Sequence, residues 1–526
     1  MPKTKNTKDS FKRDEHGRVI LGTAKEMAAW VKLGFEEQDK RKSDDEPFYQ
    51  HFIDLRNCVL YISYPIGGKG EPASKVFNLC HMAGIVPGIE NIEGDPKYLY
   101  EVKLDIHLDG SFLYGNFFHY VKFDGMVKLD NAEVISTFSC FRCLFDGFVY
   151  MQGIHLKGGY TFEQCEFNNG LLMSEADVGG LNAEFNNCII KERLSLRGAN
   201  FTNQRINNYF QSIKLTNSNV ENLSISKINT DEMPLYIEKA SIDGMIMHDM
   251  KTEGTIGFYQ CDLDGIITAV LDENKSNNRI KGLVFHCCNV KAQYHIENSN
   301  LDRVSLTFDK IEDCGRVRLS QCNVGELIIG STSVFGQADI IENKISSMDM
   351  DGSCVHGYLT FQGNDVEKYE NRQTLRLLKN EAIKVNDEVS AQHLYAEEMK
   401  SLLSDNGVSI WDKVSLWLNK VFSKFGESWI RAILVTLGLG AVFTLLMLGL
   451  GSGKYMFDIS GEFIGIGAFI TVLLDSINVF SIPLFSDTIK EYDLNVFGQF
   501  LYFVIKVVVA YGSYQFIVAF RKHGRR

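Results

Sequence analysis

The sequence predicts a mainly β chain: a parallel β-solenoid, followed by an α-helical hairpin and C-terminal transmembrane helices. Three observations carry this expectation. A short triplet recurs at a nearly constant interval through the middle of the chain, long uncharged stretches occur only near the C-terminus, and the composition changes abruptly between the two. The 526 residues are 45% apolar and 23% charged, a globular composition long enough for several structural units. The formal charge of −12 is unevenly spread. From Ile410 onward 11 basic residues face 8 acidic ones, so that end carries +3 and everything before it carries −15. An acidic balance argues against a dedicated nucleic-acid binder, whose affinity comes largely from neutralising phosphates.

Residues 1–100 form a mixed N-terminal region. No apolar segment in Met1 to Arg18 reads as a secretory signal, and the twelve cysteines are too dilute for a secreted disulfide framework. The bulk of the chain is therefore expected in a reducing cytosol. A helical pattern runs from Thr23 to Gln38 with Met27, Trp30, Val31 and Phe35 on one face, and strand-like residues follow at Val59 to Tyr64. Gly67-Gly68-Lys69-Gly70 lacks the spacing and the following Ser/Thr of a phosphate-binding loop and reads as a turn.

Residues 101–364 carry the repeat. Its unit is a small or polar residue, a variable residue, then an apolar one: Cys143-Leu144-Phe145, Cys165-Glu166-Phe167, Cys188-Ile189-Ile190 and Ser218-Asn219-Val220. The series continues through Ala240-Ser241-Ile242, Cys261-Asp262-Leu263, Cys288-Asn289-Val290, Cys322-Asn323-Val324 and Asn343-Lys344-Ile345. Several of the spacings are 22, 23, 22, 21 and 21 residues, with longer gaps where a loop or extra side could be inserted, and short β-rich runs lie between Gly, Asn and Asp turns; together these mark a solenoid with one coil per repeat. Equivalent positions then stack about 4.8 Å apart. A slot inside a narrow coil favours small residues, so the recurring Cys reads as a small core hydrophobe rather than a ligand or nucleophile.

Several of these units, with Ala199-Asn200-Phe201, Ala240-Ser241-Ile242-Asp243-Gly244, Cys261-Asp262-Leu263-Asp264-Gly265 and Ser299-Asn300-Leu301-Asp302-Arg303, resemble degenerate pentapeptide repeats. That family places four five-residue units in each coil. The resemblance covers roughly half the chain and implies a right-handed quadrilateral β-helix with a binding role. Some members of that family resemble duplex DNA in shape and charge and bind DNA-handling enzymes. The coil period here exceeds the family's twenty residues in most places, which leaves a less regular parallel solenoid open.

Residues 365–406 switch to helical chemistry. Leu375, Leu378, Ala382 and Val385 fall at helical spacing, Asn386-Asp387 breaks the pattern, and Ala391, Leu394, Tyr395, Met399 and Leu402 resume it. This predicts a two-helix hairpin that caps the last coil, whose open edge would otherwise invite aggregation. Arg376-Leu377-Leu378-Lys379 and Tyr395-Ala396-Glu397-Glu398-Met399, with the apolar segment beyond, resemble the linker of membrane-attached pentapeptide-repeat proteins.

Residues 407–428 read as an interfacial amphipathic helix, with Trp411 and Trp417 among apolar residues and Lys413, Lys420 and Lys424 between them. The membrane domain is 429–526, with spans at 431–451 and 497–520. Ala432 to Leu450 is nineteen residues without a charge, enough at about 1.5 Å per residue to cross a ~30 Å hydrocarbon layer. Trp429 and Arg431 at its start, and Arg521 and Lys522 after the second span, are expected interfacial anchors. Both flanks are basic, which places both in the cytoplasm of a multi-pass inner-membrane protein. Two cytoplasmic ends need an even number of crossings. The apolar stretch 463–485 is therefore expected to dip in and return as a re-entrant loop; the alternative is a third crossing with the tail outside.

Lys506 lies ten residues into its span, roughly 14 Å along it by helical rise. An ammonium there needs a partner or a water-filled space, and Asp475 and Asn478 supply the polar groups of the neighbouring stretch. These three are the candidate intramembrane or pore residues.

No zinc-protease helix, nucleophile elbow, dinucleotide fingerprint or phosphate loop occurs. Cys140-Phe141-Arg142-Cys143 has the spacing of a zinc or redox pair, but no second pair follows at zinc-ribbon distance. No catalytic residue, cofactor or metal ligand is assigned. The leading expectation is a non-catalytic integral membrane protein that presents a cytoplasmic solenoid to a protein partner as an interaction or sensing scaffold. The alternative is a pore or ion channel, built as a homo-oligomer because two spans cannot enclose a conduit alone; it lacks the potassium-filter sequence.

Overall fold

The computed structural model describes residues 8–41, 51–61, 85–92, 97–98, 100–114, 118–180, 182–201, 213–226, 234–248, 252–264, 267–270, 279–291, 293–307, 310–451, 465–478 and 494–523. The Gly67-Gly68-Lys69-Gly70 stretch and the far part of 463–485 lie outside them. The chain divides into two compact units, Met1–Glu370 and Asn371–Arg526.

The first unit is a parallel β-solenoid. A coil in its first half has four short strands, for example Leu144–Phe145, Val149–Tyr150, His155–Leu156 and Gly159–Glu163. Each pairs in parallel with its counterpart one coil on: Leu144 with Glu166, Val149 with Leu171, His155 with Asp177, Tyr160 with Ala183. In the later coils three strands suffice, as in Asn289–Val290, Gln293–Glu297 and the longer Asn300–Thr307. The separate third side of the earlier coils ends, among the described residues, at Asn200–Phe201. The four-sided part is compatible with a pentapeptide-repeat-like architecture, and the later part departs from it. The last strand, Asp365–Tyr369, still pairs with Lys344–Asp349, so the solenoid runs past the change in composition at 365.

Alternation along each short strand sends one side chain inward, and the inward residues stack. Phe123, Phe145 and Phe167 lie nearly parallel at centroid spacings of 4.9 and 4.8 Å. Phe258 and Phe285 repeat this at 4.6 Å. At one corner Gly315, Gly336 and Gly357 stack. A Cβ on Gly336 would collide with the carbonyl oxygen of Gly315, and one on Gly357 with that of Gly336, so only glycine lets these turns close.

Strands of the N-terminal region extend the same sheets. Val19–Leu21 pairs with Cys58–Tyr61, which pairs with Phe112–Tyr114, and Phe52–Asp54 pairs with Asp105–His107. Helix α1 (Ala24–Arg41) matches the helical pattern. It begins with Thr23 Oγ1 accepting the Glu26 N–H, and the Glu26 carboxylate accepting the Gly22 N–H. The buried amide of Gln38 then bonds the edge strand as a backbone would, donating to Phe52 O (2.9 Å) and accepting from Phe52 N (3.1 Å). This occupies edge groups that would otherwise be open to pairing.

The second unit is helical. Helices α2 (Arg372–Lys384) and α3 (Glu388–Ser404) form the expected hairpin, capped by the Asn371 and Asp387 side chains. Leu375, Leu378, Ala382, Ala391, Leu394 and Ala396 are buried, and the carboxylate of Glu398 receives Arg376 (2.7 Å) and Lys379 (2.6 Å). Val385, expected on the apolar face, ends α2 and is exposed, because the chain turns there. Helix α4 (Ile410–Ser423) follows, then α5 (Trp429–Gly451), α6 (Gly465–Ile477) and α7 (Val496–His523). Helices α5 and α7 are antiparallel. Trp429, starting α5, meets Phe516 and Phe520 near the end of α7, while Asn495, before α7, donates to Leu450 O near the end of α5.

Candidate functional site

The corners of the solenoid explain its cysteines. Each triplet is preceded by a residue in the left-handed region: Arg142, Gln164, Asn187, Asn217, Lys239, Gln260, Cys287, Gln321 and Glu342, with φ between 50° and 56°. Such a backbone costs a non-glycine residue about 1–2 kcal/mol. It is held by the coil above: Arg142 N donates to Glu163 O (2.9 Å), Gln164 N to Asn186 O (2.8 Å) and Lys239 N to Tyr259 O (2.8 Å). The next residue enters the corner slot and donates to the coil below. Cys143 Sγ reaches Phe118 O (3.3 Å), Cys188 Sγ reaches Phe162 O (3.4 Å) and Cys261 Sγ reaches Ile237 O (3.3 Å). Thr332 does the same with its hydroxyl, to Leu306 O at 3.1 Å. The slot therefore selects a small side chain, as Ala240 shows, and cysteine and threonine there add a hydrogen bond to the coil below that spacing alone did not reveal.

The triplet series also changes place. Cys288 continues the first ladder, because Asn289 pairs with Asp262 and Lys310. Cys322 and Asn343 belong to a second ladder with Ser299, set before the strands of another sheet, because Asn323 pairs with Asn300 and Lys344. Burial pushes the Cys140, Cys165 and Cys188 thiols well up, and Cys322 to about 11. A buried thiol held protonated is a poor nucleophile or metal ligand. Among the described residues no group of three His, Cys, Asp or Glu side chains is placed to hold a metal ion.

The three intramembrane candidates come together. The described part of helix α6 has 13 residues, about 20 Å by helical rise, less than a bilayer crossing needs. Its C-terminus abuts the middle of α7. There the buried Lys506 ammonium donates to two carbonyl oxygens at the α6 end, Asp475 O (2.5 Å) and Asn478 O (2.9 Å). Tyr502 OH donates to Asp475 Oδ2 at 2.6 Å, and the ammonium lies 5.3 Å from the Tyr502 ring centroid. The last carbonyls of a helix have no partner within it and carry its negative pole. Lys506 thus meets the α6 terminus through backbone oxygens. The Asp475 carboxylate, the counter-charge that composition offers for Lys506, also accepts the Tyr502 hydroxyl, a contact that spacing gave no sign of.

The expected anchors divide. Trp411 and Trp417 are exposed on α4, and Arg521 is exposed at the end of α7, where Lys522 follows in the last turn. Trp429 is half-buried against Phe516 and Phe520. Arg431 turns back, its Nε donating to Val421 O at 3.0 Å, so it ties α4 to α5. Comparison with family models, curated proteins and solved structures found no match for this chain.

Proposed function

We propose that this chain is an integral membrane protein that holds its β-solenoid beside the bilayer as a non-catalytic interaction or sensing scaffold. One observation carries the reading: α5 and α7 are long and apolar enough to cross a membrane, yet little of either is covered by the folded chain. Only 22% of the α5 window and 33% of the α7 window are buried. Leu434, Leu445, Leu450, Phe500 and Ile517 are each at least 60% exposed. A core helix of a soluble protein would bury such residues, since each exposed large aliphatic side chain forgoes about 1.5–3 kcal/mol.

The basic flanks of the two spans support a cytoplasmic position for the solenoid and the C-terminus, with α6 as a re-entrant element. The stacked coils offer a long rigid surface, the feature by which solenoids recognise extended partners, and a cytosolic protein is the partner class proposed. The likeness to membrane-attached pentapeptide-repeat proteins belongs to this reading. A short half-helix between two spans also favours a second reading, an oligomeric pore, in which Lys506 at the α6 terminus would oppose cation passage.

Alkaline extraction of cell membranes tests the anchor, and protease treatment of sealed vesicles tests the side. The proposal expects the chain to stay in the pellet and the solenoid to be cleaved only from the cytoplasmic face. Release into the supernatant overturns it. Single-channel current from reconstituted chain would favour the pore.

A further inference from the structure

We infer that the exposed face of α4 docks on an anionic phospholipid surface, with Lys413, Lys420 and Lys424 meeting the headgroups and Trp411, Val414 and Trp417 entering the acyl boundary. The inference rests on the membrane reading above and adds the class of lipid to it.

The helix is fixed at one end of the α5–α7 pair. Ser423 Oγ donates to Gln515 Oε1 (3.1 Å), the Phe422 ring meets Tyr511 edge-on at 5.1 Å, and Arg431 holds Val421 O. This is the end at which α5 starts and α7 finishes, where a spanning helix leaves the hydrocarbon. These contacts lie in the last turn of α4, while Ile410, Trp411, Val414 and Trp417 further back are exposed. Ile410 is 78%, Trp411 83% and Trp417 55% exposed.

At 100° per residue, Trp417, Ile410, Val421, Val414, Leu418 and Trp411 fall within an arc of roughly 120°. Lys413 and Lys420 border one edge of this arc, Ser415 lies beyond the other, and Asp412, Leu416 and Asn419 lie opposite it. Lys424, the left-handed residue that ends the helix, and Arg521 add positive charge at the same end. An apolar arc bearing tryptophan, bordered by lysine and backed by polar residues apart from Leu416, suits a helix lying in the headgroup layer. Indole rings settle at that depth, and each lysine near an anionic leaflet contributes about 1 kcal/mol. The lysine border beside the apolar arc, with the single acidic residue of the helix, Asp412, turned away from it, makes a zwitterionic surface the poorer match.

The full chain, with Trp30→Phe and Trp429→Phe so that Trp411 and Trp417 alone report, is reconstituted into vesicles of phosphatidylcholine and phosphatidylglycerol. One lipid or the other carries brominated acyl chains, and flotation scores insertion separately. The expected result is stronger quenching by brominated phosphatidylglycerol than by the same fraction of brominated phosphatidylcholine. Lys413→Gln with Lys420→Gln should weaken that preference by roughly fivefold per lysine while the chain still floats. Equal quenching by the two lipids overturns the lipid class, and absence of quenching by either, in chain that floats, overturns the docking. Chain that does not float overturns the anchor and this inference with it.

Discussion

Replacing Lys506 by Met separates two contributions that the intact protein combines. The ammonium costs about 2.5–3.5 kcal/mol to place at the centre of a spanning helix, so α7 of the variant should insert more readily. The same change removes a donor from the end of α6. Asn478 O loses a 2.9 Å bond, while Asp475 O keeps a 3.2 Å bond from Asn478 N, so its loss is partial. With about 1–3 kcal/mol for an acceptor left unsatisfied away from water, the α6 terminus should be destabilised by about 2 kcal/mol. That corresponds to a roughly 30-fold rise in local opening. Hydrogen exchange of the protein in lipid, followed by mass spectrometry, reads this directly. Exchange in 465–478 should accelerate by that order, and exchange in the middle of α5 should not. Lys506→Arg, which keeps a donor, should restore most of the protection. If Lys506→Met leaves the exchange of 465–478 unchanged, the ammonium does not hold the half-helix.

Three further outcomes test the solenoid and the hairpin. Tyr160 is fully buried and its hydroxyl has no hydrogen-bond partner among the described residues, so Tyr160→Phe should raise stability by about 1 kcal/mol; a lower melting temperature would contradict this. Cys165→Val overfills the corner slot and removes its donor, and should cost about 1–3 kcal/mol in denaturant titration, whereas Cys165→Ser keeps both size and donor and should cost less. Burial raises the Glu398 carboxyl, but the hydrogen bonds from Lys379 and Arg376 outweigh it and hold the group below its ordinary 4.5. The stability this contributes is present above 4.5 and is lost as the pH falls through the lower folded value. The hairpin should therefore weaken on acidification below about pH 4.5 by helical circular dichroism. Glu398→Gln should flatten that acid limb, and an identical limb in the variant would refute the assignment.

The solenoid, the hairpin and the two long apolar helices were legible because each rests on a pattern that a single chain displays. Corner residues repeat at the coil length, Leu375 and Leu378 fall on one helical face, and Ala432 to Leu450 carries no charge. The assignment of Cys322 and Asn343 to the ladder of Cys288 failed for a physical reason. Two corners of the coil impose the same steric demand, so a triplet identifies a corner without saying which one. The polar cluster was only half legible. An ammonium in an apolar span announces that it needs partners, but a backbone carbonyl has no sequence signature, so the α6 terminus could not be named. Trp429 and Arg431 illustrate the same limit. Their residue types fit an interface, and the folded chain uses them to bind helices together.

The excess of the coil over twenty residues has a local origin. In the four-sided part a series of left-handed residues, Gly110, Tyr120, Asn131, Arg142, Gly153, Gln164, Glu175, Asn187 and Gly198, recurs every 10 to 12 residues, two in each coil; Gly159, Gly170, Gly180 and Glu192 also have positive φ but fall outside that series. Four five-residue sides account for twenty; one additional residue at each of two opposite corners brings the coil to 22. That residue is the one whose N–H reaches the next coil, as in Arg142 to Glu163 O, so the insertion adds a bond between coils as well as a turn. The strain is also distributed by type. Glycine and asparagine occupy several of these corners at little cost, while Arg142 and Gln164 occupy others and join their side chains across coils, Arg142 Nε donating to Gln164 Oε1 at 2.6 Å. The repeat is therefore better described as two ten-residue halves, each closed by a left-handed residue, than as an interrupted run of fives. The weak five-residue pattern in the sequence follows from that arrangement.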